Sequence, residues 1–374
     1  MTRCKTIAAR LALALLSPVF VLGLAEGALR LANIGLPVRF LLPASVEGRA
    51  CWVDNPFYGY RFFPPELARN PAPVVIAREK PAGCVRIAVL GESAAQGDPV
   101  LEFGMPRLLE KMLGEMDGAA RYEVVNAAMT AINSSIIADI ARDLQVGQPD
   151  VVVLYIGNNE VIGPFGPGTV FTRWAGETRL TSLRVRLTRL RLAQLLRFRQ
   201  SGTAQNWAGL AMFSGLRFPQ DDLRLEPMYR AFRNNLESIV DTFRKPGTRV
   251  ILSTVAVNLA DCPPFGSEEP AGLPPATRTE WQTEFEKGTA AQRAGDTEAA
   301  RAAYGKAAAI FDRHAGLVYR LAQTEQAAGD REAACKDYRR ARDLDTQRFR
   351  ADRRINDIIR EVAREQRIEL VDAE

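Results

Sequence analysis

The chain has one histidine, His314, among 374 residues, and five cysteines: Cys4, Cys51, Cys84, Cys262 and Cys335. No Cys-x-x-Cys or other ligand spacing joins them, so the common cysteine and histidine metal modules are excluded and no metal is expected. Cys51 and Cys84 stay open to two readings, a disulfide in an oxidising compartment or unpaired small core residues. A Walker-type phosphate loop, a dinucleotide-binding glycine fingerprint and a zinc-protease motif are all missing, and no organic cofactor is expected either.

Acidic residues are absent from Thr178 to Gln220, whereas seven arginines fall between Arg179 and Arg199. The net charge is only +5 and no nucleic-acid module is recognisable, which argues against a nucleic-acid partner. Within the arginine-rich stretch Leu180, Leu183, Leu187 and Leu190 recur at helical spacing. It reads either as a packed helix with a solvated basic face or as an element lying on an anionic membrane or acidic polymer. Long apolar runs are scarce as well. Leu11 to Ala25 holds fifteen uncharged residues behind Arg3, Lys5 and Arg10, against about 20 for a spanning helix. Residues 1–30 therefore read as a signal anchor or a signal peptide cleaved near Gly23–Ala25. The basic flank keeps the N-terminus inside, so the expected location is single-pass in the cell inner membrane, with the bulk periplasmic or outside the cell.

What is present is an α/β pattern with chemistry at its strand ends. A run from Val85 to Leu90 stops at Gly91-Glu92-Ser93, which puts a serine hydroxyl on the turn leaving a buried strand. Apolar runs also precede Asn126-Ala127-Ala128-Met129-Thr130-Ala131 and Gly157-Asn158-Asn159-Glu160. Helices are expected near Pro106–Met116, Ser134–Leu144, Met228–Phe243 and Arg353–Glu365, with further strands at Tyr122–Val125, Val151–Ile156, Arg249–Val255 and Arg367–Asp372. Such alternation implies a parallel sheet covered on both faces. Residues 43–83, rich in proline and aromatics, show no sustained period and read as an ordered lead-in wrapping the sheet domain. After a proline-rich linker, residues 261–278, Gly295-Asp296 recurs as Gly329-Asp330. That shift of 34 matches the tetratricopeptide period, so residues 279–348 read as two repeats.

The blocks at 91–97, 124–134 and 155–160, in that order, resemble the first three blocks of the SGNH (GDSL-type) hydrolases. The later segments resemble bacterial members that carry tetratricopeptide repeats, and the likeness runs from about Pro43 to the last residue. It implies a flavodoxin-like three-layer α/β/α sandwich of about five parallel strands, with the first part at 84–260, an inserted all-α repeat pair, and residues 349–374 returning a helix and last strand. It also implies that Ser93 is the nucleophile, with oxyanion donors from the N–H groups of Ser93 and Ala131 and the amide of Asn159. Two positions depart from the pattern. Glu92 stands where the family usually has aspartate, and Ala131 stands where it usually has glycine, a replacement that serves if its backbone angles are ordinary.

The family's base lies in an Asp-x-x-His motif after the fifth strand, and the sequence has none. His314 has Phe311 three residues before it and reads as a loop residue between the repeats. The chain is accordingly expected to be a C-terminally truncated member that holds nucleophile and oxyanion hole without base or orienting acid, so that only slow residual turnover is expected. A paired-carboxylate glycosidase using Glu92 and Glu160 finds no second supporting feature. The expected function is an extracytoplasmic serine esterase or acyl hydrolase acting on an acylated carbohydrate or similar ester. Its expected partners are that ester, a protein bound by the repeats, and the membrane. The alternative is a non-catalytic, membrane-tethered tetratricopeptide scaffold on a degenerate hydrolase domain.

Overall fold

The computed structural model of the chain describes residues 2–116, 121–171, 180–198, 209–244 and 247–374. A 30-residue helix, α1 (Thr2–Leu31), leads in. Among the described residues no helix is long and apolar enough to cross a membrane. That observation does not support the expected signal anchor. The fifteen-residue uncharged run is short for a span.

The lead-in differs from expectation. Instead of an aperiodic wrap, it forms a three-stranded antiparallel sheet, β1 (Leu41–Val46), β2 (Arg49–Asp54) and β3 (Val75–Ala77), in that order. Glu47 and Gly48 make the two-residue turn between β1 and β2, both with positive φ (50° and 76°), as a primed hairpin turn requires. Glutamate in place of the usual asparagine hid that turn.

The main sheet is built from β4 (Cys84–Gly91), β5 (Arg121–Asn126), β6 (Val151–Tyr155), β7 (Arg249–Ser253) and β8 (Glu369–Val371). All its pairings are parallel and the order is β5-β4-β6-β7-β8. That order is flavodoxin-like, with its topological switch between β4 and β6. Side chains alternate across β4. Ala88 and Leu90 join Val125, Val152, Leu154 and Leu252 under α4 (Ser134–Leu144), α7 (Leu225–Phe243) and α12 (Arg353–Gln366). Val89 faces the other way, into a smaller cluster with Ala95 of α2 (Ser93–Gln96) and Met105 and Leu109 of α3 (Met105–Met116). The two helical layers are therefore unequal in bulk.

Two buried charges tie the sheets and layers together. Arg86, 1% exposed, reaches Glu123 Oε2 at 2.6 Å and the carbonyl of Ala77 at 3.0 Å, joining β4 to β3. Asp139 of α4 takes Tyr58 Oη at 2.9 Å and Arg61 Nη1 at 2.7 Å from the lead-in. It also pairs with Arg189 at 2.9 Å, in the turn between α5 (Thr181–Leu187) and α6 (Arg191–Phe198). The leucine periodicity of that region pointed to one helix, and the chain makes two.

Between β7 and α12 lie α8 (Pro275–Arg293), α9 (Thr297–Ile310), α10 (Ala315–Ala327) and α11 (Arg331–Asp343). The helix begins at Pro275, inside the expected linker, because proline is well suited to a first helical turn. The α8–α9 and α10–α11 hairpins reproduce each other at the sequence shift of 34. Gly295 and Gly329 turn with φ of 79° and 85°. Asp296 and Asp330 then cap the next helix through Ala299 N at 3.0 Å and Ala333 N at 3.1 Å. Tyr304 Oη donates to Gln292 at 2.8 Å, and Tyr338 Oη to Gln326 at 2.7 Å. Gly288 and Ala322 are the matching small residues, and a β-carbon at 288 would lie 2.5 Å from Tyr304 Cδ1. Cys51, Cys84, Cys262 and Cys335 are unpaired thiols.

Candidate active site

Ser93, Ala131 and Asn159 follow the carboxyl ends of β4, β5 and β6, and Ser93 and Asn159 flank the switch between β4 and β6. Open α/β sheets leave a crevice at such a place. Gly91 is needed there because a β-carbon would lie 2.5 Å from the carbonyl oxygen of Tyr155 and 2.3 Å from Ala95 Cβ. With no side chain at 91, α2 closes down on the sheet and starts at Ser93, which is partly exposed.

The three turns are bonded to one another. Ala127 N donates to Val89 O at 2.9 Å, and Met129 N to Gly91 O at 3.2 Å. Asn126 Nδ2 donates to Gln96 O at 2.9 Å, and Thr130 Oγ1 to Gln96 Oε1 at 2.6 Å. The serine helix is thus fastened to the turn that carries Ala131. On the other side Glu92, fully buried, accepts the N–H groups of Gly157 at 3.1 Å, Asn158 at 2.9 Å and Asn159 at 3.5 Å. The longer glutamate therefore carries its carboxylate to the β6 turn.

Ala131 does not have ordinary backbone angles. Its φ is +62°, the left-handed region where a β-carbon costs about 1–2 kcal/mol. The condition under which alanine replaces glycine without strain is not met, and the turn holds Ala131 there through the surrounding bonds. Asn159 is 7% exposed, and its Nδ2 is buried with no hydrogen-bond partner among the described residues. An orphaned amide donor costs roughly 1–3 kcal/mol, and such a donor calls for a specific explanation.

Next to it, Glu160 accepts Ser134 N at 2.8 Å and Ser134 Oγ at 2.7 Å, fixing the start of α4. Burial, together with the charge of Glu160, pushes Glu92 up to about 8. Burial pushes Glu160 up to about 7. Both carboxylates are buried, Glu92 against backbone N–H groups and Glu160 against the N–H and hydroxyl of Ser134. Asn158 Oδ1 accepts Ala351 N at 3.3 Å, and a β-carbon on Gly157 would meet Ile355 Cγ2 at 2.4 Å, so the segment after α11 holds the turn from above. Gln96, Thr130, Ser134 and Asn158 were not singled out in the sequence; their lying within or beside the three blocks was the only signal.

Ser93 Oγ has no basic side chain bonded to it among the described residues. His314 is remote in role: its Nδ1 accepts Leu317 N at 2.9 Å as the cap of α10, and its ring stands 5.2 Å from Trp281 and 5.4 Å from Phe285. Burial lowers its pKa, which favours the neutral ring. Among the described residues no cluster of His, Cys, Asp and Glu suits a metal ion. A cleft of about 410 Å³ runs along the free edge of β5, between Pro73–Ile76 and Pro106–Glu110, and it includes none of Ser93, Ala131 and Asn159.

No family model matches the chain, and no curated protein matches it. Among solved structures, the crystal structure of TesA is similar at 16% identity and a TM-score of 0.26, covering 60% of this chain and 73% of that one.

Proposed function

We propose that the chain is an SGNH-type serine esterase or acyl hydrolase in which Ser93 attacks the acyl carbon. The N–H groups of Ser93 and Ala131 and the Asn159 amide receive the oxyanion. The observation that supports this reading is the buried Nδ2 of Asn159, without a partner among the described residues, on the turn bonded to Glu92, one residue before the serine. Preorganised donors of this kind contribute roughly 3–4 kcal/mol each to a barrier. The substrate is assigned to an acylated carbohydrate or similar ester. The two 34-residue hairpins are assigned as tetratricopeptide repeats that bind a protein partner, and α1 as the membrane attachment of an extracytoplasmic protein.

The test is covalent labelling by a fluorophosphonate in the protein as expressed from its own gene. Label mapped to Ser93, lost in Ser93→Ala and reduced about 10²–10³-fold in Asn159→Ala, supports the reading. Label that survives Ser93→Ala overturns it and leaves the scaffold reading. With no basic side chain bonded to Ser93 Oγ among the described residues, these 374 residues are expected to hydrolyse p-nitrophenyl acetate negligibly.

A further inference from the structure

We propose that the α5–α6 hairpin, carried on the end of α1, is a seat for an anionic phospholipid surface that turns the candidate site away from the bilayer. The proposal is independent of the acyl-transfer reading. On α5, Thr181 and Val185 are buried, whereas Leu183 and Leu187 on the same helix, with Leu180 just before it, are 50%, 45% and 45% exposed. Leu195 of α6 is 41% exposed. Arg186 lies exposed beside Leu187, within a stretch free of acidic residues from Thr178 to Gln220. A leucine face interleaved with arginine matches the hydrocarbon–headgroup boundary of an anionic membrane.

The placement of the hairpin says which occupant fits. Glu26 of α1 caps α6 by accepting Arg191 N at 3.0 Å and Leu192 N at 3.1 Å, and Arg30 Nη2 donates to Arg189 O at 3.3 Å. Just before Glu26, Leu16, Val19, Phe20, Val21, Leu22 and Leu24 are all 57–68% exposed. Their positions fall on every side of the helix between Leu16 and Leu24, so no single protein groove covers them, and a segment apolar all round suits apolar surroundings. The hairpin is therefore bonded to α1 at Glu26 and Arg30, within about two turns of the exposed apolar side chains from Leu16 to Leu24.

Arg189 also fixes orientation. It grips Asp143 at 3.0 Å, near the end of α4, whereas Ser134, bonded to Glu160 beside the site, begins that helix. Nine residues of helix separate them by about 13 Å. The hairpin and the catalytic edge thus lie toward opposite ends of α4, and the site faces water rather than lipid.

The test uses the full chain reconstituted in vesicles, with an environment-sensitive fluorescent amino acid at position 183 and, as a control, at Glu286, exposed on α8. In phosphatidylcholine vesicles containing phosphatidylglycerol, the probe at 183 should shift to the blue and be quenched by a lipid-borne quencher, while the probe at 286 stays in water. Arg184→Gln/Arg186→Gln should abolish the shift, as should pure phosphatidylcholine. A probe at 183 that stays water-exposed in the anionic vesicles overturns the proposal. So does a shift equal in both lipids and unaffected by the arginine changes, or one provoked by a soluble acidic polysaccharide without vesicles.

Discussion

Glu92 Oε2 accepts the main-chain N–H of Asn158 at 2.9 Å, across 66 residues of sequence. The residue that precedes the candidate nucleophile thereby holds the turn that carries the candidate oxyanion amide. Glu92→Ala should cut fluorophosphonate labelling of Ser93 nearly as far as Asn159→Ala does, because three N–H groups lose their acceptor and the turn is released. Glu92→Asp, one methylene shorter, should restore only part of it. Labelling rates of the three variants, read beside their melting temperatures, separate a positioning effect from unfolding.

The same carboxylate sets a pH dependence. Glu92 and Glu160 are raised to about 8 and about 7. Between the ordinary glutamate range and those values the folded chain keeps protons that the unfolded chain has released. The stability these groups contribute is therefore fully present only below the ordinary glutamate value of 4.5 and is lost progressively as pH rises from there through 7 and 8. Glu160→Gln should flatten that decline in thermal melts taken from pH 5 to pH 9. An unchanged slope would contradict the assignment of the decline to this pair.

Replacing Ala131 by glycine removes a β-carbon from a left-handed position. Relief of about 1–2 kcal/mol is partly offset by the greater freedom of glycine in the unfolded chain, about 0.5–1 kcal/mol. Ala131→Gly should leave the fold unchanged and raise the melting temperature by about 2 °C. A lower melting temperature would mean that the alanine methyl makes packing contacts outweighing the strain.

Asp139 is the hub between the lead-in, α4 and the α5–α6 turn. Burial alone would raise its pKa, but Arg61 and Arg189 outweigh burial and hold it below the ordinary carboxylate range. With Arg61 and Asp139 only 2% and 1% exposed at their side chains, Asp139→Ala removes the carboxylate facing the buried Arg61 guanidinium, while Arg61 keeps Thr188 and Arg189 keeps Asp143, and should cost about 3 kcal/mol, the low end for a broken buried pair. The penalty should be fully present at neutral pH and shrink as pH falls through the depressed pKa, since the wild-type carboxylate is then protonated as well. Urea unfolding at both pH values measures it.

In the first helical hairpin Gly288 lies under Tyr304, and an added methyl would come within 2.5 Å of the ring. Gly288→Ala should destabilise that hairpin by about 1–3 kcal/mol, although the second hairpin has Ala322 at the matching position. Hydrogen exchange of α8 and α9 against α10 and α11 would localise the effect.

The sequence by itself pointed to strands at 85–90, 122–125, 151–156 and 249–255, which the structure has at 84–91, 121–126, 151–155 and 249–253, and to their parallel pairing, the 34-residue shift, and the placing of Ser93, Ala131 and Asn159 after strand ends on one side of the sheet. Those features rest on local periodicity and on glycine-bearing turns, which are readable within a few residues. Only the tertiary structure decided that Glu92 reaches the 157–159 turn, that Ala131 is left-handed, and that the lead-in forms a sheet. It also decided that α5 and α6 break where Arg189 turns in to Asp139. Each of these depends on hydrogen bonds or ion pairs between residues far apart in the chain. No window of local sequence records such a partner, because burial and charge pairing are properties of the assembled layers.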